Sequence, residues 1–533
     1  MRPRTGAPRF ALLFALLQTA SWSTLVAAEP ALDQPVRIAT GLITGAATAD
    51  RSVVAFKGIP YAAPPVGDLR WREPQPPAAW EGIRDGSGFG ACCSQPVNTM
   101  QPPYTAEFSV AGEGSEDCLF LNVWTPARSA RDRLAVLVYI HGGSGTHGSG
   151  SVAVYDGEEL ARKGIIVVTV NFRLGPLAGL GHPQLTAESS HHASANYGLL
   201  DMLAALRWVQ ANIAAFGGDA QKVTLCGQSS GCMAVHYLTA SPLAKGLFRA
   251  AIAASFAYDY LTRPDAVGNL WQKEQKGLDF SRAKGAASIA ELRALPAASL
   301  IAQDPAVAPF TRAVVGASVA TDGWLFPRTY PDALDQGLAC DVPTLTGFTH
   351  DDGGPPEAYT HATVASFTAK VPKAFAERKE AFLALYPVAN DADARRMDKQ
   401  AQLDFRAATV FFWAKRRAKA AQAPVYIYRF DQAIPWPQHP EFGAFHSSDL
   451  VYAFANLKQL DRPWTAEDDR AAAAYSSYWV NFVRTGDPNG AGLPVWRPFA
   501  ADRPVILAIG ATPAEIPVAE PQRLEFHRAL LEK

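Results

Sequence analysis

Three features of the chain predict an α/β fold built on a large, mostly parallel, doubly wound sheet. Short, nearly continuous apolar runs such as "LAVLVYI" at 134–140 and "GIIVVTV" at 164–170 read as strands covered on both faces. Segments with helical spacing separate such runs from about residue 134 to 430, the alternation that parallel pairing requires. The chain is 533 residues long, 48% hydrophobic and only 19% charged, which is ample for one large core.

Arg2, Arg4 and Arg9 precede the apolar "FALLFALL", and Val26 and Ala28 supply small residues for a cut. This pattern predicts a secretory signal at 1–28 and a mature chain of 29–533, exported to the periplasm or beyond. The apolar stretch is short of the ~20 residues of a membrane-spanning helix. "RIATGLITG" and "SVVAFKGIPYA" alternate like strands, and "PPVGDLRWREPQPPAAW" is a proline-rich surface loop. "LLDMLAALRWVQANI", from Leu199 to Ile213, has helical spacing and stops before Gly217 and Gly218. "DVPTLTG" and "APVYIYRF" are further buried strands, and "AAAAYSSYWVNFVRTG" is a late helix. The Ala-rich stretch from 260 to 320 is expected as helices laid over the sheet. No internal repeat and no Gly/Ser-rich linker divides the chain, so a single domain is expected.

A formal net charge of -1 gives no electrostatic case for nucleic acid or an anionic membrane as partner. Six cysteines are far too few for a disulfide-built scaffold of this size, and no CxxC spacing suggests a zinc ribbon. His191 and His192 read as solvated loop rather than a metal site. No cofactor is implied.

The chemistry centres on "VTLCGQSSGCMAV", residues 223–235. Gly227 and Gly231 stand two residues either side of Ser229, between a strand and a helix. A plain tight turn is one reading. The other is a strained elbow that pushes a nucleophilic serine out at the end of its strand, with the helix N-terminus favouring developing negative charge. A serine needs a base and the base an orienting acid, which in such folds follow in the order Ser, Asp/Glu, His. Of the histidines well past Ser229 (361, 439, 446 and 527), His446 lies in "GAFHSSDLVY", on a flexible loop after the strand "VYIYRF". Asp351 and Asp352 end the strand in "VPTLTGFTHDDGG", where either can present a carboxylate. "HGGSGTHGSG" follows directly on "LAVLVYI", so the amides of Gly142 and Gly143, with that of Ser230, form a candidate oxyanion hole. The same run fits G-x-G-x-x-G at Gly143, Gly145 and Gly148. However, the following residues do not open a helix, and the next strand ends in Asn171-Phe172-Arg173 rather than an acid, which disfavours a dinucleotide site.

Together these stretches resemble the type-B carboxylesterases, the group of cholinesterases and bacterial para-nitrobenzyl-type esterases. The likeness runs from about Val36 to Phe499. It includes "FKGIPYAAPPVGDLRW", "EDCLFLNVWTP", "VTVNFRLGPL", "NYGLLDMLAALRWVQANIAAFGGD", "GQSSG", "GAFHSSDLVYAF" and "NFVRTGDPNGAGLPVW". The resemblance implies one α/β-hydrolase domain with Ser229 as nucleophile, His446 as base and Asp352, rather than Asp351, as the acid. It also implies a disulfide between Cys93 and Cys118 and a buried ion pair between Glu116 and Arg173. Cys226 and Cys232 are expected as small buried apolar residues. The chain departs from the family pattern at Gln228, where glutamate is common, at Ser230, and at Gly145, where relatives commonly carry an aromatic residue. The loop from Cys93 to Cys118 holds Tyr104 and Phe108 but no tryptophan, which argues against a choline site.

The resulting expectation is an exported serine ester hydrolase acting on a small-molecule ester through an acyl-enzyme. An amidase or carbamate hydrolase would share the machinery. A non-catalytic binding module of this fold is disfavoured because all three triad positions carry competent residues. Neither oligomeric state nor substrate identity is set by the sequence.

Overall fold

The computed structural model describes residues 32–96, 102–110, 112–255, 267–302, 319–352, 361–369, 371 and 377–531. Its centre is an 11-stranded sheet. In chain order the strands are β1 (Ala46–Ala47), β2 (Val54–Pro60), β3 (Phe120–Thr125), β4 (Leu134–Ile140), β5 (Ile166–Val170) and β6 (Gly218–Gln228). There follow β7 (Ala250–Ala254), β8 (Thr344–Thr349), β9 (Val425–Phe430), β10 (Val505–Ile509) and β11 (Ala514–Pro517). The spatial order is β11-β10-β9-β8-β7-β6-β4-β5-β3-β2-β1. Every pairing from β5 across to β10 is parallel, and the flanking pairs are antiparallel.

Side-chain alternation shows why the predicted runs read as continuous. Along β4, Val136, Val138 and Ile140 enter one core, while Ala135, Leu137 and Tyr139 enter the other. The first core is closed by helices α1 (Tyr197–Asn212) and α2 (Ser230–Ala240), through residues such as Leu203, Leu206 and Val235. The second is closed by α4 (Ala466–Thr485), through Tyr475, Trp479 and Phe482. Between them in sequence runs the long helix α3 (Asp391–Arg417). The start of α4 is fixed by a capping box of Thr465 and Asp468. Its end is set by Gly486 at φ 82°, a left-handed stop that glycine adopts freely. Helices thus cover both faces of the sheet.

α1 and the turn after it, Tyr197–Phe216, are long and apolar enough to cross a membrane by length and composition, but 67% of the most apolar window is buried. The apolar character of α1 is that of a core helix.

Two stretches carry detail that their patterning left open. Val36–Ile38 and Gly41–Thr44, in and just before "RIATGLITG", form a three-stranded sheet with Ile83–Asp85, separate from the central one. In the Ala-rich stretch, helices Leu270–Ala283, Ile289–Ala294 and Ala297–Ile301 form, together with a short parallel pair of Val267–Asn269 and Val319–Thr321. The predicted signal, 1–28, lies outside the described residues.

The winding of the sheet places the site. The chain passes from β4 to β5 on one side, then returns across β4 to lay β6 on the other. The C-terminal ends of β4 and β6 therefore flank the point where the strand order reverses, the crevice in which open α/β sheets bind ligands. The glycine run at 142–150 and Ser229 follow those two ends.

Candidate active site

Ser229 stands between β6 and α2 with φ 57° and ψ −121°. This conformation is costly for a residue with a side chain, and such strain clusters at functional sites. The flanking glycines explain how it is tolerated. A Cβ on Gly227 would lie 2.3 Å from the carbonyl oxygen of Gly231, and one on Gly231 would lie 2.1 Å from that of Ile140. Any larger residue at either position would force the elbow off the sheet. The tight approach, not merely the turn, requires them.

His446 lies on the loop between β9 and the short helix Asp449–Ala453. Its Nε2 is 2.9 Å from Ser229 Oγ, and its Nδ1 is 2.6 Å from Asp352 Oδ1. Asp352 is buried, and its other oxygen accepts the amide of Thr349 at 3.2 Å. Burial opposes the charge on this carboxyl, but His446, together with Arg406 and the Thr349 amide, outweighs burial and holds it below its ordinary range. Asp351 turns away from the imidazole, onto Lys399 and Ala444. The other candidates lie apart: His439 pairs with Glu441, and His527 is buried against Tyr386.

Gly142 sits against the elbow, since a Cβ there would come within 3.0 Å of Ser229 Cβ. Among the described residues, the amides of Gly142, Gly143 and Ser144 have no hydrogen-bond acceptor. Two of them are anchored from behind. His141 Nδ1 is 2.7 Å from the carbonyl of Gly142, and the amides of Thr146 and His147, each at 3.0 Å, donate to that of Gly143. A peptide is planar, so fixing its carbonyl end aims the N–H at the other end. These contacts therefore fix the amides of Gly143 and Ser144. The sequence reading passed over Ser144, whose φ of 56° is unusual for a serine and invisible in the residue type. His141 is buried, and burial brings its pKa down to about 4, which keeps the ring neutral.

Around the imidazole, Gln228 Nε2 is 3.3 Å from His446 Nε2 and donates to Ser447 Oγ at 2.8 Å. The Tyr104 hydroxyl donates to the carbonyl of His446 at 3.2 Å. Asp449 is completely buried and accepts from the hydroxyls of Tyr428 and Tyr475. Cys226 and Cys232 are buried, and burial pushes both thiols far above their usual range, so they are inert packing groups. Among the described residues, no group of three or more His, Cys, Asp or Glu side chains is placed to hold a metal.

Residues 33–526 match the carboxylesterase family. The chain belongs to that family. It is 36% identical over 471 residues to a fumonisin B1 esterase of Sphingopyxis macrogoltabida, covering 84% of this chain and 82% of that one. It is 35% identical over 474 residues to the para-nitrobenzyl esterase of Bacillus subtilis, covering 83% and 88% respectively. A human cocaine esterase is 30% identical over 535 residues, covering 93% and 91%. The protein is thus a carboxylic ester hydrolase of the serine class.

In this carboxylesterase an open pocket adjoins the elbow, lined by Gly145, Phe172, Leu199, Met202, Met233 and Tyr237 among others. Gly145 brings only backbone to this lining. It also has φ 70°, and its amide donates to Ser230 Oγ at 3.2 Å, so a side chain there would strain the loop as well as fill the space. Arg173, the charged member of the lining, is committed elsewhere.

That commitment corrects one expectation. Glu116 and Arg173 do not pair. Arg173 is bound by Asp201 of α1, through Nη2 to Oδ1 at 2.7 Å and Nε to Oδ2 at 2.8 Å. Glu116 is held instead by Arg70, through Nε and Nη2 at 2.6 Å each. The reason is burial: the side chain of Asp201 has no exposed surface, so it must have a cation beside it, whereas Glu116 keeps 15%. A lone aspartate inside the apolar run "LLDMLAALRW" was the available signal. Cys93 and Cys118 form a disulfide in the structure, and Cys92 remains a buried free thiol beside it.

Proposed function

We propose that this esterase hydrolyses small-molecule carboxylic esters through a Ser229–His446–Asp352 triad. The observation that carries the reading is the unbroken chain from Ser229 Oγ through both imidazole nitrogens to a buried carboxylate, with the serine raised on a strained elbow. His446 takes the proton of Ser229 as the hydroxyl attacks the ester carbonyl, and Asp352 steadies the imidazolium that results. The oxyanion forms against the amides of the Gly142–Gly143–Ser144 turn and of Ser230, where fixed donors stabilise developing charge without reorganising. His446 then protonates the departing alcohol. Water, activated by the same imidazole, releases the acid from the acyl-enzyme. Ser229→Ala is expected to lower kcat on 4-nitrophenyl acetate by about 10⁴-fold or more, with the fold retained. Turnover near wild type in the purified variant, or acylation of a different serine by a mechanism-based inhibitor, would defeat the assignment.

The same proposal includes export. The Arg-led apolar start supports it, and a disulfide between Cys93 and Cys118 suits an oxidising compartment. N-terminal sequencing of the secreted protein should begin at Glu29, the residue after Ala28. A mature chain retaining Met1, recovered only from cytoplasm, would sink this part alone.

A further inference from the structure

Two adjacent aspartates close β8, and only one of them faces the imidazole. The other has its own set of contacts. Asp351 Oδ2 accepts the amide of Ala444 at 2.9 Å, and the amide of Asp351 donates to the carbonyl of Ala444 at 2.9 Å. Asp351 and Phe445 form an isolated parallel bridge, one residue before His446. Asp351 Oδ1 accepts from Lys399 Nζ of α3 at 3.0 Å, and the same ammonium donates to the carbonyl of Glu441 at 2.6 Å. His350 Nδ1 lies 3.3 Å from Oδ2. Gly443 packs directly onto this carboxylate: it has φ 56°, and a Cβ there would lie 2.2 Å from Oδ2.

We propose that Asp351, with Lys399, is a positioning residue that staples the loop carrying His446 to the loop carrying Asp352. The claim rests on the triad reading above. His446 has no strand or helix of its own to hold it, because β9 ends at Phe430 and the next α-helix begins only at Asp449. Five residues before it, Glu441 is tied to Lys399, and two residues before it, Ala444 is tied to Asp351 from both sides. The Asp352 carboxylate belongs to the very next residue after the staple. One short segment therefore sets the acid and, through the staple, the base. Misplacing a reacting group by about 1 Å can cost about 10²-fold in rate, so this fixing bears on turnover rather than on substrate binding.

The experiment compares wild type, Ser229→Ala, Asp351→Ala, Asp351→Asn and Lys399→Met, as full-length purified enzyme on 4-nitrophenyl acetate. Asp351→Ala is expected to lower kcat about 10-fold or more while KM stays within about threefold, the pattern of lost transition-state geometry. Asp351→Asn retains an acceptor for the Ala444 amide and should recover most of that loss, which a merely destabilised fold would not do. Lys399→Met should lower kcat about threefold with KM unchanged. A kcat within twofold of wild type in Asp351→Ala, or a loss carried by KM alone, would overturn the proposal. If Asp351→Ala does not fold, Lys399→Met decides: lowered kcat supports the staple, and unchanged kcat overturns it. An inactive wild type, or an active Ser229→Ala, would instead overturn the triad reading, so the two failures are told apart.

Discussion

Gln228 is the residue whose chemistry differs most usefully from its surroundings. Its amide lies 3.3 Å from the nitrogen of His446 that faces Ser229 and is anchored on Ser447. A carboxylate at this distance would favour the protonated ring, which raises the pH at which the base becomes free. Gln228→Glu is therefore expected to shift the acid limb of the rate–pH profile to higher pH, with the alkaline side unaffected. A limb that stays in place, measured on kcat/KM across pH 4–9, would mean that residue 228 does not act on the imidazole. At this scale the sequence was legible wherever residue type alone dictates geometry. Gly227 and Gly231 had to be glycine, and the chain order expected of such a fold pointed to His446, while Asp351 and Asp352 stayed open until the family resemblance chose between them. It was illegible where backbone angle decides. Ser144 and Gly145 both have positive φ, yet one is a serine and the other a glycine.

Among elements, α1 shows how a patterned helix hides a functional constraint. Its spacing was plain from Leu199 to Ile213, but Asp201 points into the core and is neutralised by a residue at the end of the neighbouring β5 segment. Pairing of this kind is a long-range choice among several acids and bases, and local pattern does not encode it. By the same limit, alternation marked the N-terminal strands without naming the sheet that each joins. The buried pair offers a direct test. Arg173→Met should destabilise the fold by about 3–5 kcal/mol, because it leaves the carboxylate of Asp201 uncompensated. Replacing both with Arg173→Met and Asp201→Leu should recover most of that loss. Urea unfolding would measure the two, and a double variant no better than the single would show that Asp201 is not the group left stranded.

For the molecule as a whole, the sheet order explains why residues from 142 to 446 meet at one crevice, and why a sequence-based reading of the parallel core succeeded. Buried strands must be apolar on both faces, and the parallel connections must cross by helices, so both signals survive in one dimension. Global stability against pH is a different matter, because it depends on charges that burial selects. Asp449 has no exposed surface, sits near Asp352, and donates nothing to its tyrosine partners while ionised. Burial, with the charge of Asp352, pushes its pKa up to about 6. The ordinary aspartate value of about 3.9 applies once the chain unfolds. The folded state therefore binds this proton more tightly than the unfolded state between those two values. Stability from this group is fully present below about pH 4, falls as pH rises through about 6, and is gone above it. The loss amounts to about 3 kcal/mol. Asp449→Asn keeps an oxygen for Tyr428 and Tyr475 but has nothing to titrate. Its stability relative to wild type should thus increase by about that amount between pH 4 and pH 8, whatever constant offset the amide introduces. Urea midpoints of the two proteins at both pH values would decide it. Midpoints that move in parallel would show that Asp449 keeps its ordinary pKa in the fold.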